Sequence, residues 1–138
     1  MNRNEHARMV QTETQDAVIG LLCAAGYTVE HHDIVGDPEW TINNTLRVCI
    51  KGALWTKHKH SKGRYQFNSQ PGADLYILAC MTHAPRYFVV PGRVIAGKAN
   101  VAIWSEYPSK YVGRWTQFCD AWHIIDEELE RCTVLDTA

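Results

Sequence analysis

Between Trp40 and Lys51 the chain alternates so regularly that one strand pairing suits it far better than any other. Trp40 and Ile42 share one side of an extended segment, and Glu39 and Thr41 share the opposite side. After Asn43-Asn44-Thr45, a turn by composition, Leu46, Val48 and Ile50 point one way and Arg47, Cys49 and Lys51 the other. A hairpin must bring both apolar sets to the same side of the sheet. A three-residue loop does so: Ile42 falls opposite Leu46, Trp40 opposite Val48, and therefore Glu39 opposite Cys49 and Asp37 opposite Lys51. A two-residue loop would set Ile42 against Thr45, so the three-residue loop is predicted.

The remaining pattern places this hairpin inside an α/β chain. A helix is predicted from about Glu5 to Ala25, where Val10, Ala17, Val18, Leu21, Leu22 and Ala25 recur at three-to-four spacing and Gly26 supplies the stop. Glu13 lies three residues after Val10 and four before Ala17, which puts an acid on the apolar stripe. Two readings stand: a stripe-edge carboxylate reaching water or a basic neighbour, or one aimed at a site on the sheet beneath. Extended segments follow at Tyr27–His32, Pro38–Asn43 and Leu46–Leu54. Then come a basic loop (Thr56–Gly63) and strands at Arg64–Asn68, Asp74–Cys80 and Arg86–Val90. Arg93–Gly97 reads as one helical turn and Val101–Trp104 as a last strand. Trp115, Phe118, Cys119, Trp122, Ile125 and Leu129 predict a closing helix from about Trp115 to Arg131, by spacing that marks core packing. Helix, strands, helix gives a central mixed sheet flanked by an N-terminal and a C-terminal helix.

With 138 residues, 46% of them hydrophobic, the chain is expected to form a single domain spanning 1–138. No apolar run approaches the roughly 20 residues of a membrane span, and the first residues lack the apolar centre of a signal peptide, so the expectation is cytoplasmic. The five cysteines include no CxxC pair, which argues against a disulfide framework and a zinc ribbon. Net charge is only −1, but it is polarised. From Trp40 to Ala73 there is no Asp or Glu, while Arg47, Lys51, Lys57, Lys59, Lys62 and Arg64 fall there; the acids gather after Asp120. A local cationic stretch in a neutral protein can dock a phosphate backbone, although a merely solvated basic loop has the same composition.

The hairpin puts Glu39, Cys49 and Lys51 on one face with Asp37 at its mouth, and the first helix can bring Glu13 over the same place. Carboxylates beside a lysine suit metal-assisted phosphodiester hydrolysis, in which hard oxygens hold Mg²⁺ and an ammonium screens the developing charge. Pro38-Glu39 followed by Cys49-Ile50-Lys51 resembles the active-site hairpin of the PD-(D/E)xK nuclease superfamily, a proline-acid pair on one strand and an acid-x-lysine triplet on the next. The run ETQDAVIGLLCAAGYTV resembles that superfamily's first helix and strand, with Glu13 where an auxiliary acid often sits. RYQFN, GADLYILAC and RYFVVPGRVI resemble the later strands of its resolvase-like and homing-endonuclease-like members.

This resemblance implies a restriction-endonuclease-like fold and a DNA endonuclease using Mg²⁺, or Mn²⁺. Glu39, helped by Asp37 or Glu13, would hold the metal, Lys51 would be the catalytic lysine, and Lys57, Lys59, Lys62 and Arg64 would contact phosphate. Cutting both strands with so small a domain implies a homodimer. One position departs from the family: Cys49 stands where the second acid belongs, and a thiol is a poor ligand for Mg²⁺. Either Glu13 or Asp37 replaces that oxygen, or the fold has become a module that binds nucleic acid or a protein partner without cutting. A structural or inhibitory protein making contact through Trp55 or Tyr111 is a third reading. Glu30-His31-His32-Asp33 and His58-Lys59-His60 are candidates for a transition metal, with surface histidines as the plainer alternative.

Overall fold

The computed structural model describes residues 2–32, 40–57, 62–68, 72–95 and 100–137. The chain opens with α1 (Arg3–Ala24), started by a capping box in which the Asn2 side chain accepts from the Glu5 amide. Strands β1 (Val29–His31), β2 (Trp40–Ile42) and β3 (Leu46–Ala53) follow, then β4 (Tyr65–Asn68), β5 (Leu75–Cys80), β6 (Arg86–Pro91), the single turn α2 (Gly92–Ile95), β7 (Asn100–Ile103) and α3 (His123–Thr137). Five strands make one mixed sheet in the order β1-β2-β3-β5-β6, with β3 and β5 parallel and every other neighbour antiparallel. No helix among the described residues is long and apolar enough to cross a membrane.

The hairpin has the predicted register, Ile42 opposite Leu46 and Trp40 opposite Val48. Asn43 and Asn44 both adopt left-handed conformations (φ 52° and 56°), which asparagine tolerates better than other residues with a Cβ. The Asn43 side-chain carbonyl accepts from the Thr28 amide, tying the turn to the approach of β1. The continuation of that register to Pro38, Glu39 and Asp37 lies outside the described residues.

The two faces of the sheet are covered differently. Leu46, Val48, Ile50 and Gly52 face α1, whose buried stripe is Thr14, Val18 and Leu22. Tyr87, paired with Ala79 on that same side, packs against Trp122 just before α3. Tyr27 Oη donates to Asp126 Oδ1 at 2.5 Å and so joins the end of α1 to α3. On the opposite face Cys49 and Lys51 pair with Tyr76 and Leu78. There Phe88 stacks edge-on against Tyr111, and Tyr65 of β4 packs edge-on against Trp55 beyond the end of β3. With both faces covered, all six residues of β5 are buried.

Two expectations need correction. Strands β4 and β7 do not join the central sheet; they pair with each other as a separate antiparallel ribbon. The closing helix begins at His123, not Trp115: the segment before it makes a 3-10 turn at Thr116–Phe118, and Cys119 bridges to Phe88. Asp120, left-handed at φ 52°, donates its amide to the Tyr87 carbonyl and takes Arg86 Nη1 on its carboxylate at 2.7 Å. Pairing with the edge of β6 thus wins over helical spacing. Of the two readings of Glu13, the structure agrees with the carboxylate that reaches water: Glu13 is exposed, and Thr14 occupies the buried position beside it.

Candidate active site

Strand β2 is short and covers β3 only as far as Val48. Along β3 the odd-numbered residues turn their backbone groups toward β5, as the Arg47–Asp74 and Ala53–Met81 hydrogen bonds show. The even-numbered ones therefore turn toward the β2 side, and beyond Val48 no described strand meets them. Gln11 of α1 fills that gap: its Nε2 donates to the Ile50 carbonyl at 2.7 Å, and its Oε1 accepts from the Gly52 amide at 3.3 Å. One side-chain amide thereby stands in for a strand residue and clamps the helix to the stretch around Lys51. Gly52 makes this approach possible, since a Cβ there would lie 1.8 Å from Thr14 Oγ1.

Lys51 emerges from this clamped stretch, half-buried, on the same face as Cys49. It takes part in no ion pair among the described residues. Cys49 is 8% exposed and lies opposite Tyr76, whose phenol is pushed above its ordinary pKa chiefly by burial. The predicted common face for Cys49 and Lys51 is present, whereas Glu39 and Asp37 lie outside the described residues. Glu13 is not brought to this face. It sits about 160° round the helix from Gln11, which makes the contact with β3.

Among the described residues no group of three or more His, Cys, Asp or Glu could hold a metal ion. The donor that β3 offers is a buried, soft thiol, so the described residues alone do not fit Mg²⁺. The histidine alternative fares no better. His31 packs on Trp40, His32 Nε2 is hydrogen-bonded to Thr41 Oγ1, and His58 and His60 lie outside the described residues.

Of the predicted phosphate contacts, Lys57 and Lys62 are exposed and Arg64 is half-buried; Lys59 lies outside the described residues. Thr56 and Arg64 exchange both backbone hydrogen bonds at 2.9 Å, which brings Lys57 and Lys62 to the same end of the β4–β7 ribbon as Arg64. A hollow of about 280 Å³ between α1 and the end of β3 adds Arg3 and His6 near Gly52. A wider cleft of about 680 Å³ lies past the ends of β3 and β5, between Trp55, Met81, His83 and Tyr107. Trp55 and Tyr111, read as contact aromatics, are half-buried against Tyr65 and Phe88; the exposed ones are Trp104 and Tyr107, at 57% and 64%. Sequence reasoning passed over Gln11 and Gly52, because a clamp between a helix and a strand 39 residues apart leaves no local pattern.

No family model matches the sequence, and no curated protein matches it. A solved structure does: the fold is similar to that of a bacterial homing endonuclease, I-Ssp6803I, with a TM-score of 0.70 at 16% identity. The superposition covers 94% of this chain and 96% of that one, so the likeness is one of whole folds and not of a shared fragment.

Proposed function

We propose that this protein is a DNA endonuclease that hydrolyses phosphodiester bonds, with Lys51 at its catalytic centre. The observation that carries the reading is the full-length likeness of fold to a homing endonuclease. The position of Lys51 supports it: the lysine stands on a strand that Gln11 hydrogen-bonds on either side of it, on the face it shares with Cys49. An ammonium fixed there would stabilise the negative charge that develops on the scissile phosphate. Glu39 and Asp37 are the proposed oxygen donors for Mg²⁺ or Mn²⁺, which would supply Lewis-acid chemistry. Glu13 is left out of that set because it faces away. Two copies would be needed to cut both strands, and the proposal includes a homodimer.

The test is cleavage of plasmid and oligonucleotide duplexes with Mg²⁺ or Mn²⁺. Wild type is expected to cut, and Lys51→Ala and Glu39→Ala to fall by about 10²-fold or more with unchanged melting curves. Equal cleavage by wild type and Lys51→Ala would remove the lysine from the mechanism. A second reading, a nuclease fold that binds DNA without cutting it, is favoured by the buried thiol at position 49. Tight duplex binding with no cleavage under either metal would select it.

A further inference from the structure

The ribbon formed by β4 and β7 has two unlike faces. Tyr65, Phe67, Val101 and Ile103 point inward and are at most 2% exposed. Gln66 stands opposite Ala102 and Asn68 opposite Asn100 on the outward face, and Arg64 at its end lies over the Trp104 ring, 5.3 Å from the centroid. Arg64 Nε also donates to Gln66 Oε1, so the arginine is held from two sides. We infer that this outward face, presenting Gln66, Asn68 and Asn100 beside Arg64, reads base edges in the major groove of duplex DNA. The inference rests on the DNA-binding reading above and adds the surface that would give it sequence preference.

Four observations support it. Side-chain amides offer a donor and an acceptor together, the pair that matches an adenine edge bidentately; Gln66 Oε1, which already accepts from Arg64 Nε, keeps a second lone pair for a base, and Asn68 and Asn100 lie beside it on the same face. Neither strand carries an acid, and Lys57 and Lys62 lie at the Arg64 end, so the surface complements a phosphate backbone. A two-stranded ribbon fits a groove about 12 Å wide, and alternate side chains along a strand repeat at about 6.8 Å, on the order of two base-pair steps. The inward anchors leave the ribbon little freedom to lose on binding, which favours preorganised readout.

The experiment is selection from a pool of randomised duplexes, followed by titration of the selected sequence at two salt concentrations. Wild type is expected to enrich a defined block of base pairs. The Gln66→Ala/Asn68→Ala/Asn100→Ala variant is expected to lose about 5- to 150-fold of discrimination at each base pair read while its salt slope is kept. Lys57→Ala/Lys62→Ala should instead lower that slope by about one unit for each phosphate no longer neutralised, and keep the preferred sequence. Gln66→Glu, which changes no backbone hydrogen bond, should move the preferred base at one position toward cytosine, whose amino group a carboxylate accepts. A triple variant that selects the wild-type sequence as sharply as wild type, or a wild type with no preference, overturns the inference and leaves the nuclease reading standing. Failure of wild type to bind duplex DNA overturns both.

Discussion

Cys49 is the residue on which the proposed chemistry of the hairpin turns. Its neighbours on the sheet, Arg47 and Lys51, are exposed and half-exposed, but the thiol itself is buried opposite Tyr76. Alternation placed these three on one face; it could not reveal that the face is wet at both ends and dry in the middle. A carboxylate introduced here would enter an apolar site without its water. Cys49→Glu is therefore expected to destabilise the protein by on the order of 2–4 kcal/mol in metal-free buffer. If position 49 adjoins the metal site, millimolar Mn²⁺ should raise the melting temperature of this variant more than that of wild type, because an ion bound only to the folded form stabilises it. Equal shifts in the two proteins would exclude position 49 from any metal site.

At the scale of elements, the seating of α1 on β3 decides where Lys51 stands. Thr14 is fully buried against Gly52, with its hydroxyl donating back to the Val10 carbonyl, and Gln11 bridges the open edge one turn earlier. Gly52→Ala would drive a methyl group into Thr14 and is expected to cost about 1–3 kcal/mol through overpacking. Since the nearest obstructing atoms all belong to Thr14, the double variant Gly52→Ala/Thr14→Ala should recover part of that loss. Denaturant melts of the four proteins in this cycle measure the coupling. Additive losses would mean that the two residues do not meet. The segment before α3 illustrates the converse, where tertiary pairing displaces an element that spacing predicts: Trp115 and Phe118 are buried as expected, but on a turn that pairs with β6.

Taken as a whole, the molecule ties the two ends of its helical layer together with a phenol. Tyr27 joins α1 to α3 through Asp126, and its pKa is pushed up to about 12, first by burial and then by the hydrogen bond to, and the charge of, that carboxylate. Tyr65 is pushed up to about 12 as well, again mainly by burial. Both phenols keep their protons in the folded chain to higher pH than in the unfolded chain, where loss begins near the ordinary value of 10.0. Between about pH 10 and 12 the unfolded state binds fewer protons, so stability must fall as pH rises, and below pH 10 the contribution is complete. Tyr27→Phe is expected to make that fall shallower in denaturant melts at constant ionic strength. A slope identical to wild type would show that Tyr27 does not titrate in this window.

The sequence by itself determined the hairpin register from Trp40 to Val48, the face shared by Cys49 and Lys51, and where along the chain the strands fall. Each of these follows from side chains one to five residues apart, where backbone geometry converts spacing directly into direction. Tertiary structure alone decided that β4 leaves the sheet to pair with β7, that Glu13 turns outward while Gln11 grips β3, and that Asp120 ends a predicted helix at the edge of β6. An apolar face carries the same pattern whichever partner covers it. Those choices were settled by backbone hydrogen bonds and close packing between segments distant in the chain, for which local periodicity holds no record.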